Sequence, residues 1–336
     1  MILSRLGEFG IIQRIKNILE THSSDIKISI GDDAAVFQSH PGYWTVITTD
    51  VLVEGIHFDL SYTPLESLGW KLMAVNISDI AAMGAIPRTA VISLALPTSW
   101  TEKQIDELSQ GIAACSKQYN CDVIGGDTVR SQGSAFLAAT VAGEVEPECC
   151  TKRSAAKTGD LICVTGVLGG AKAGLQILST CPSRKRGQKA AEHFLTPRPR
   201  VQEARFLVKE VGINALIDIS DGLSAELHHI CTSSNKGCII EGDKIPIADG
   251  LKSLYPKEDK PLFFEALESG EEYELLFTIS EDKYKILQQK KIFKSGFISV
   301  IGTIKDKSAG LHLIYNNKKI SLPKRGWDHF KSKQQQ

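Results

Sequence analysis

Aspartates close several short apolar segments of this chain, and this recurrence restricts how the chain can fold. Seven stand at segment ends or turns, and they are Asp32, Asp33, Asp50, Asp79, Asp127, Asp218 and Asp221. A single aspartate at a turn usually bonds to nearby backbone amides and does nothing more. Small residues flank nearly all seven, however, as in "GDDAA" and "GGDT", and small residues let a ligand approach the backbone. We therefore expect a fold that brings several segment ends to one cleft.

Carboxylates that share a cleft indicate a metal ion. They repel one another and raise one another's pKa values unless a cation neutralises them. Oxygen-only ligands favour magnesium over zinc, and magnesium is typically shared between a few carboxylates and substrate phosphates. The chemistry that this pattern predicts is phosphoryl transfer from ATP.

The sequence lacks the common phosphate-binding motifs. The segment "TGVLGGAKAGL", residues 165–175, resembles a phosphate loop, but Ala171-Lys172-Ala173 stands where Walker A needs Gly-Lys-Ser/Thr. The chain also has neither a G-x-G-x-x-G fingerprint nor a protein-kinase catalytic loop. The segment 165–175 alone is therefore weak evidence for a phosphate site.

The chain of 336 residues is long enough for two domains. Short β-branched runs alternate with helical patterns, which predicts a mixed α/β (α+β) fold. The polar segment 144–160 suggests a boundary between a domain at 1–148 and a domain at 149–336. The predicted strands are Thr45–Thr49, Thr89–Leu96, Asp122–Gly125, Ala135–Val145, Asp160–Thr165, Ala215–Ile219, Tyr273–Ile279 and Phe297–Ile304. The predicted helices are Gly10–Glu20, Leu65–Met83, Glu102–Tyr119, Ala171–Leu178, Val201–Val211, Leu223–Cys231 and Glu281–Gln288.

Composition narrows the class of protein. With 39 basic and 39 acidic side chains, the chain is not expected to bind nucleic acid, although the basic run Ser183–Lys189 is the one to check. No apolar run approaches the ~20 residues that span a bilayer, so no membrane partner is expected. The eight cysteines contain no C-x-x-C pair, which favours a reducing, cytoplasmic location.

At the level of whole motifs, the chain resembles the thiamine-monophosphate kinase family. "GDDAAVF", "TTDVLVEGIHF", "KLMAVNISDIAAMGAIP", "IGGDTVRS", "ALIDISDGLSAEL", "SGEEYELLFT" and "RGWDHF" occur in that family's order. The resemblance implies ATP-dependent phosphorylation of thiamine monophosphate to thiamine diphosphate, by in-line attack without a phosphoenzyme. It also implies the two-domain fold of aminoimidazole ribonucleotide synthetases, with an N-terminal sheet that forms a barrel across a homodimer and a C-terminal α/β domain.

The resemblance also implies roles for individual residues. The implied catalytic residues are Asp50, Asp79, Asp127 and Asp221. The implied ligands of several magnesium ions are Asp33, Thr48, Thr49, Asp50, Asp79, Asp127, Asp218 and Asp221. The implied nucleotide contacts are Gly126, Asp127, Arg153 and Ser220, and the implied thiamine-phosphate contacts are His57, Glu271 and Trp327. Arg153 suits phosphate charge, and Trp327 offers a flat face to a cationic or aromatic ring.

Simpler roles and other activities remain open at this point. Trp327 could anchor the C-terminal segment, His57 could be a turn residue, and Glu271 could be a surface charge. The sequence departs from the family at Gly169–Ala171 and at Glu272, where an aspartate is frequent. An aminoimidazole ribonucleotide synthetase-like enzyme shares the acidic motifs, and a nucleotide-binding sensor without turnover is the alternative from another class.

Overall fold

The structure is a computed structural model that describes residues 26–28, 32–180, 191–255, 261–290 and 292–330. Six strands form a first sheet in the order β1-β2-β3-β6-β4-β5, all pairs being antiparallel except β4 with β5. The sheet stays open within the described residues, with β1 and β5 as its edges. Its strands are β1 (Ile26–Ile28), β2 (Ala35–His40), β3 (Tyr43–Val53), β4 (Ile86–Pro97), β5 (Asp122–Ser131) and β6 (Phe136–Val145).

Seven later strands form a second sheet in the order β13-β12-β9-β11-β7-β10-β8. They are β7 (Leu161–Thr165), β8 (Leu216–Asp218), β9 (Lys236–Glu241), β10 (Leu275–Ile279), β11 (Ile298–Asp306), β12 (Leu311–Tyr315) and β13 (Lys318–Ser321). The two sheets confirm the predicted mixed α/β class. The boundary at residues 148 and 149 stays a prediction.

Nine α-helices connect these strands in the described part of the chain. They are α1 (Leu65–Ala82), α2 (Glu102–Tyr119), α3 (Gly170–Thr180), α4 (Glu192–Leu195), α5 (Val201–Phe206), α6 (Leu223–Ser234), α7 (Asp249–Leu254), α8 (Phe263–Glu268) and α9 (Glu281–Lys290). A wider helical turn, Leu207–Val211, continues α5, so the predicted helix Val201–Val211 changes its winding halfway. The predicted helix Gly10–Glu20 and the basic run Ser183–Lys189 lie outside the described residues.

Helix α1 positions the site because it is buried on nearly every side. Its apolar residues lie in the core that joins sheet one to β8, β10 and α5, and even Lys71, Asn76 and Ser78 are at most 1% exposed. The helix must stop at Gly84, which has φ +70° and would place a Cβ 2.5 Å from the Cys149 carbonyl oxygen. The last turn of α1, which carries Asp79, is therefore fixed against both domains.

The sequence analysis missed five strands: β1, β2, β9, β12 and β13. The first has only three residues, β9 begins with Lys236-Gly237, and all four residues of β13 are exposed. Each lacks a long apolar run and forms because a neighbouring strand supplies its hydrogen-bond partners. In the described ranges, none of the helices is long and apolar enough to cross a membrane.

Candidate functional site

Three aspartates from separate segments meet at the junction of the two sheets. Asp33 precedes β2, Asp79 lies in the last turn of α1 and Asp218 ends β8. One carboxylate oxygen from each lies within 4.8 Å of the other two. The sequence prediction that segment ends converge is therefore correct for these three residues, which come from both halves of the chain.

Strand β3 adds further oxygen atoms to this cluster. The Thr48 hydroxyl donates to Asp79 Oδ2 at 2.6 Å. Asp50 lies two residues further along the strand, on the same face, and its backbone N–H donates to Asn76 Oδ1 of α1 at 2.9 Å. Helix α1 thus holds β3 in the register that directs Thr48 and Asp50 toward the cluster.

The electrostatics of the cluster favour a bound cation. Burial, followed by the Asp33 charge, raises the pKa of Asp218 to about 8. Burial and the charges of Asp50 and Asp218 raise the pKa of Asp79 well above its ordinary value. A divalent cation would offset this repulsion. Because every donor is oxygen, the set fits magnesium, and Asp33, Thr48, Asp50, Asp79 and Asp218 are the residues that could hold it.

Arg153 lies beside the cluster in a short helical turn, Arg153–Ala155. Its Nε and Nη2 donate to the two carboxylate oxygens of Asp33 at 3.0 and 2.6 Å. This two-point contact holds the guanidinium in a fixed plane. Arg153, the predicted nucleotide contact, therefore lies at the edge of the carboxylate cluster.

Ser220 and Asp221 follow β8 and connect the cluster to the C-terminal segment. The Asp221 backbone N–H donates to Glu226 Oε1 at 3.0 Å, and its carbonyl accepts from the Trp327 N–H at 3.1 Å. Glu226 is 2% exposed, and burial raises its pKa well above the ordinary value. The sequence analysis missed Glu226, which fixes the Asp221 backbone.

Two predicted metal ligands, Thr49 and Asp127, face away from the cluster. The Thr49 hydroxyl donates to the Ala139 carbonyl oxygen at 3.0 Å, on the outer face of the sheet. In strand register, Asp50 aligns with Ala139, Ile92 and Gly126, whereas Asp127 aligns with Val51 on the outer face. Gly126 has a packing reason to lack a side chain, since a Cβ would lie 1.9 Å from the Ile92 carbonyl oxygen. In this chain, the Asp127 carboxylate does not join Asp33, Asp79 and Asp218.

The three predicted thiamine-phosphate residues belong to a second group of side chains. His57 packs against His329, with ring centroids 4.9 Å apart, and Trp327 Nε1 donates to His329 Nδ1 at 3.1 Å. Glu271 Oε1 lies 2.7 Å from Lys71 Nζ. The half-exposed Trp327 therefore belongs to a group of side chains from both halves of the chain, and we refer to this group as the pocket.

Lys71, Phe194 and His329 belong to this second group, and the sequence analysis did not select them. Lys71 Nζ lies 4.0 Å from the centroid of the Phe194 ring. The available signal was the charge of Lys71 within "WKLMAVNISDIAAMGA", an otherwise apolar helix. Phe194 gave no signal, because only the fold brings it near α1, whereas His329 lies in the quoted motif "RGWDHF" but was given no role.

The sequence departs from the family pattern at Gly169–Ala171 and at Glu272, and these two positions contact each other. Glu272 Oε1 accepts hydrogen bonds from the backbone N–H groups of Gly169 and Ala171, at 2.8 and 3.2 Å, and from the Ser269 hydroxyl. Glu272 is 5% exposed, and burial raises its pKa to about 8. The Glu272 side chain therefore occupies the backbone N–H groups of the glycine-rich loop at the start of α3.

The chain is similar to known families and solved structures over nearly its whole length. Residues 31–145 match the family "AIR synthase related protein, N-terminal domain" and residues 157–313 match "AIR synthase related protein, C-terminal domain". A thiamine-monophosphate kinase of Bacillus subtilis is 35% identical over 97% of this chain and 100% of its own length. One of Buchnera aphidicola is 39% identical over 96% and 98%. A solved structure, "AaThiL complexed with AMPPCP and TMP", superposes with TM-score 0.83 at 32% identity over 98% of this chain and 99% of its own.

Proposed function

The chain belongs to the thiamine-monophosphate kinase family, and from that premise we propose that it transfers the γ-phosphoryl group of magnesium-bound ATP directly and in line to the phosphate of thiamine monophosphate. The observation that carries the proposal is the meeting of Asp33, Asp79 and Asp218 oxygens within 4.8 Å. A pocket containing His57, Glu271 and Trp327 adjoins it through the Trp327–Asp221 backbone bond. Nucleotide and acceptor would meet between these two groups.

Each part of the reaction has a residue to serve it. Magnesium, when bound, would neutralise charge on the transferred phosphoryl group. Arg153 would contribute a fixed positive charge beside the same phosphates. No general base is required, because the attacking phosphate oxygen is already anionic. His57 would donate to the acceptor from Nε2, because its Nδ1 accepts the Val53 N–H at 3.0 Å.

A single incubation tests the activity. We expect the purified protein, incubated with ATP, magnesium and thiamine monophosphate, to give thiamine diphosphate and ADP in equal amounts. Chromatography measures both products. Free thiamine in place of the monophosphate should give no product, and labelled ATP without acceptor should leave no phosphate on the protein. ATP binding without turnover would instead support the nucleotide sensor.

We extend the proposal to a homodimer that joins the outer faces of two N-terminal sheets into a barrel. Four exposed apolar residues, Val51, Val91, Val129 and Phe136, lie on that face, and Ile124 at the edge is 67% exposed. Exposed apolar patches of this kind mark association surfaces. Phe136→Asp should convert a dimer into a monomer in light scattering, and a wild-type monomer would overturn the extension.

Asp127 lies on this outer face, so we assign its predicted metal contact to the site of the other copy. Mixing inactive Asp79→Asn and Asp127→Asn chains then creates one intact site per mixed dimer. Activity should reappear after the chains are mixed and allowed to exchange. If Asp127 served its own chain, both sites of the mixed dimer would stay defective and no activity would return.

The remaining assignments are also proposals. The domain boundary at residues 148 and 149 falls in the stretch between the two matched families. The cytoplasmic location is supported by the free thiols of the described cysteines, of which Cys115, Cys163 and Cys238 are fully buried.

A further inference from the structure

Lys71 carries a charge into the interior of the protein. It lies in α1, its side chain is 2% exposed, and its ammonium contacts Glu271 Oε1 at 2.7 Å and the Phe194 ring at 4.0 Å. Removing a charge from water costs several kcal/mol per ion unless geometry and partners compensate. An apolar side chain would fill this position of α1 at no such cost. The position of Lys71 therefore calls for an explanation beyond packing.

Glu271 is the partner through which Lys71 can reach a substrate. The Glu271 carboxylate is 27% exposed, so it contacts Lys71 while part of its surface stays accessible to a ligand. Its backbone has φ +60°, a left-handed conformation that non-glycine residues adopt infrequently. The Glu271 N–H donates to the Ser220 carbonyl oxygen at 2.6 Å. The backbone is thus tied to the β8 end while the side chain is tied to α1.

The same ammonium also acts on His57. Burial and then the charges of His329 and Lys71 together lower the pKa of His57 to about 4. The imidazole is therefore neutral, and its free N–H is at Nε2, because Nδ1 accepts the Val53 amide. Lys71 thus lies close enough to influence both polar residues of the pocket.

We propose that Lys71 is a positioning residue for the acceptor, which fixes the Glu271 carboxylate in the pocket so that Glu271 can bind the cationic, N–H-bearing rings of thiamine monophosphate. The inference rests on the proposed function and deepens it. Thiamine rings carry a thiazolium charge and an exocyclic amino group, which an oriented carboxylate complements. Without Lys71, Glu271 would keep its charge but lose its fixed direction.

A double-mutant cycle tests this role. Lys71→Met keeps the length and removes the charge, and Glu271→Gln removes the carboxylate. Each should raise KM for thiamine monophosphate by about 5- to 50-fold and leave KM for ATP within about twofold. The double variant should be no worse than the weaker-binding single variant, because both changes remove one interaction.

Matched controls separate positioning from stability. Arg205→Met removes a partly buried cation whose partners are Glu146 at 2.8 Å and the Gly84 carbonyl oxygen, not the residues around Lys71, and it should lower the melting temperature without changing either KM. If Lys71→Met behaves like Arg205→Met, or if the two effects multiply in the cycle, the inference is wrong. If Lys71→Met does not fold, Lys71→Gln replaces it, and a Glu271→Gln protein that binds the acceptor normally overturns the inference by itself. Failure of the wild type to phosphorylate thiamine monophosphate would instead refute the proposed function.

Discussion

The carboxylate of Glu272 accepts a hydrogen bond from the Gly169 backbone N–H at 2.8 Å, at the start of α3. Amides at a helix N-terminus commonly bind anions, and here a buried glutamate occupies them. The same carboxylate has a pKa raised to about 8 by burial. The helix-terminal amides, which could bind an anion, are therefore occupied by a carboxyl group that protonates readily.

The first prediction concerns stability against pH. The pKa of Glu272 rises from 4.5 to about 8 on folding, so between these values the folded protein binds more protons than the unfolded chain. Its contribution to the free energy of unfolding is full below pH 4.5 and is lost as pH rises toward 8. Glu272→Gln should remove this loss. The melting temperature of the variant relative to wild type should therefore rise from pH 5 to pH 9, and a constant difference would contradict the assignment.

The second prediction concerns Asp79. Asp79→Asn removes one of several mutually repelling carboxylates, while Thr48 retains an oxygen partner. Without magnesium, the variant should melt at or above the wild-type temperature. Magnesium should no longer raise the melting temperature of the variant. Its kcat should fall at least about 100-fold, which corresponds to ~2.7 kcal/mol in activation free energy. Near wild-type turnover in a folded variant would remove Asp79 from the site.

The third prediction separates two adjacent threonines that were both expected to bind metal. Thr48→Ala should weaken magnesium activation, because the Thr48 hydroxyl contacts Asp79 at 2.6 Å. Thr49→Ala should leave the magnesium requirement nearly unchanged, because its hydroxyl bonds to the Ala139 carbonyl on the other face. Magnesium titrations of activity compare the two directly. Equal losses would show that Thr49 contributes through its side chain after all.

The fourth prediction concerns Trp327, a residue that is 40% exposed. If it covers the thiamine rings, Trp327→Ala should raise KM for thiamine monophosphate by about 2- to 30-fold, since such a stacked contact is worth ~0.5–2 kcal/mol. KM for ATP should stay nearly constant. An anchoring role predicts a lower melting temperature and equal effects on both substrates, which paired thermal and kinetic measurements distinguish.

Sequence patterns located the strands and helices with long apolar runs. The ends of those runs located Asp79 and Asp218, and the small-residue turn "GDDAA" located Asp33. They could not assign Asp127 to a face, because its direction depends on the register of β3, β6, β4 and β5. A bulge between Ala90 and Val91 shifts this register. Local sequence does not encode such a shift.

Contacts between distant segments were equally inaccessible. The contact between Glu272 and the Gly169 loop joins residues 103 positions apart, and each side was noticed only as a separate departure. Lys71 belongs to a helix whose apolar sequence predicts burial, and its partner Glu271 follows 200 residues later. Only tertiary packing pairs them.

Helix α1 also determines how the molecule can move. Ser78 Oγ in this helix donates to the Asp218 carboxylate at 2.5 Å, one residue before Asp79 joins the cluster, so the site lies across the seam between the two domains. A hinge motion would have to break this buried hydrogen bond, typically worth ~0.5–1.5 kcal/mol, and would separate the carboxylates of Asp79 and Asp218. A cation bound by carboxylates from both domains would hold the two domains together. Substrates would then enter and leave through movements of loops and of the Trp327 segment. The two domains would keep the same relative orientation throughout the reaction cycle.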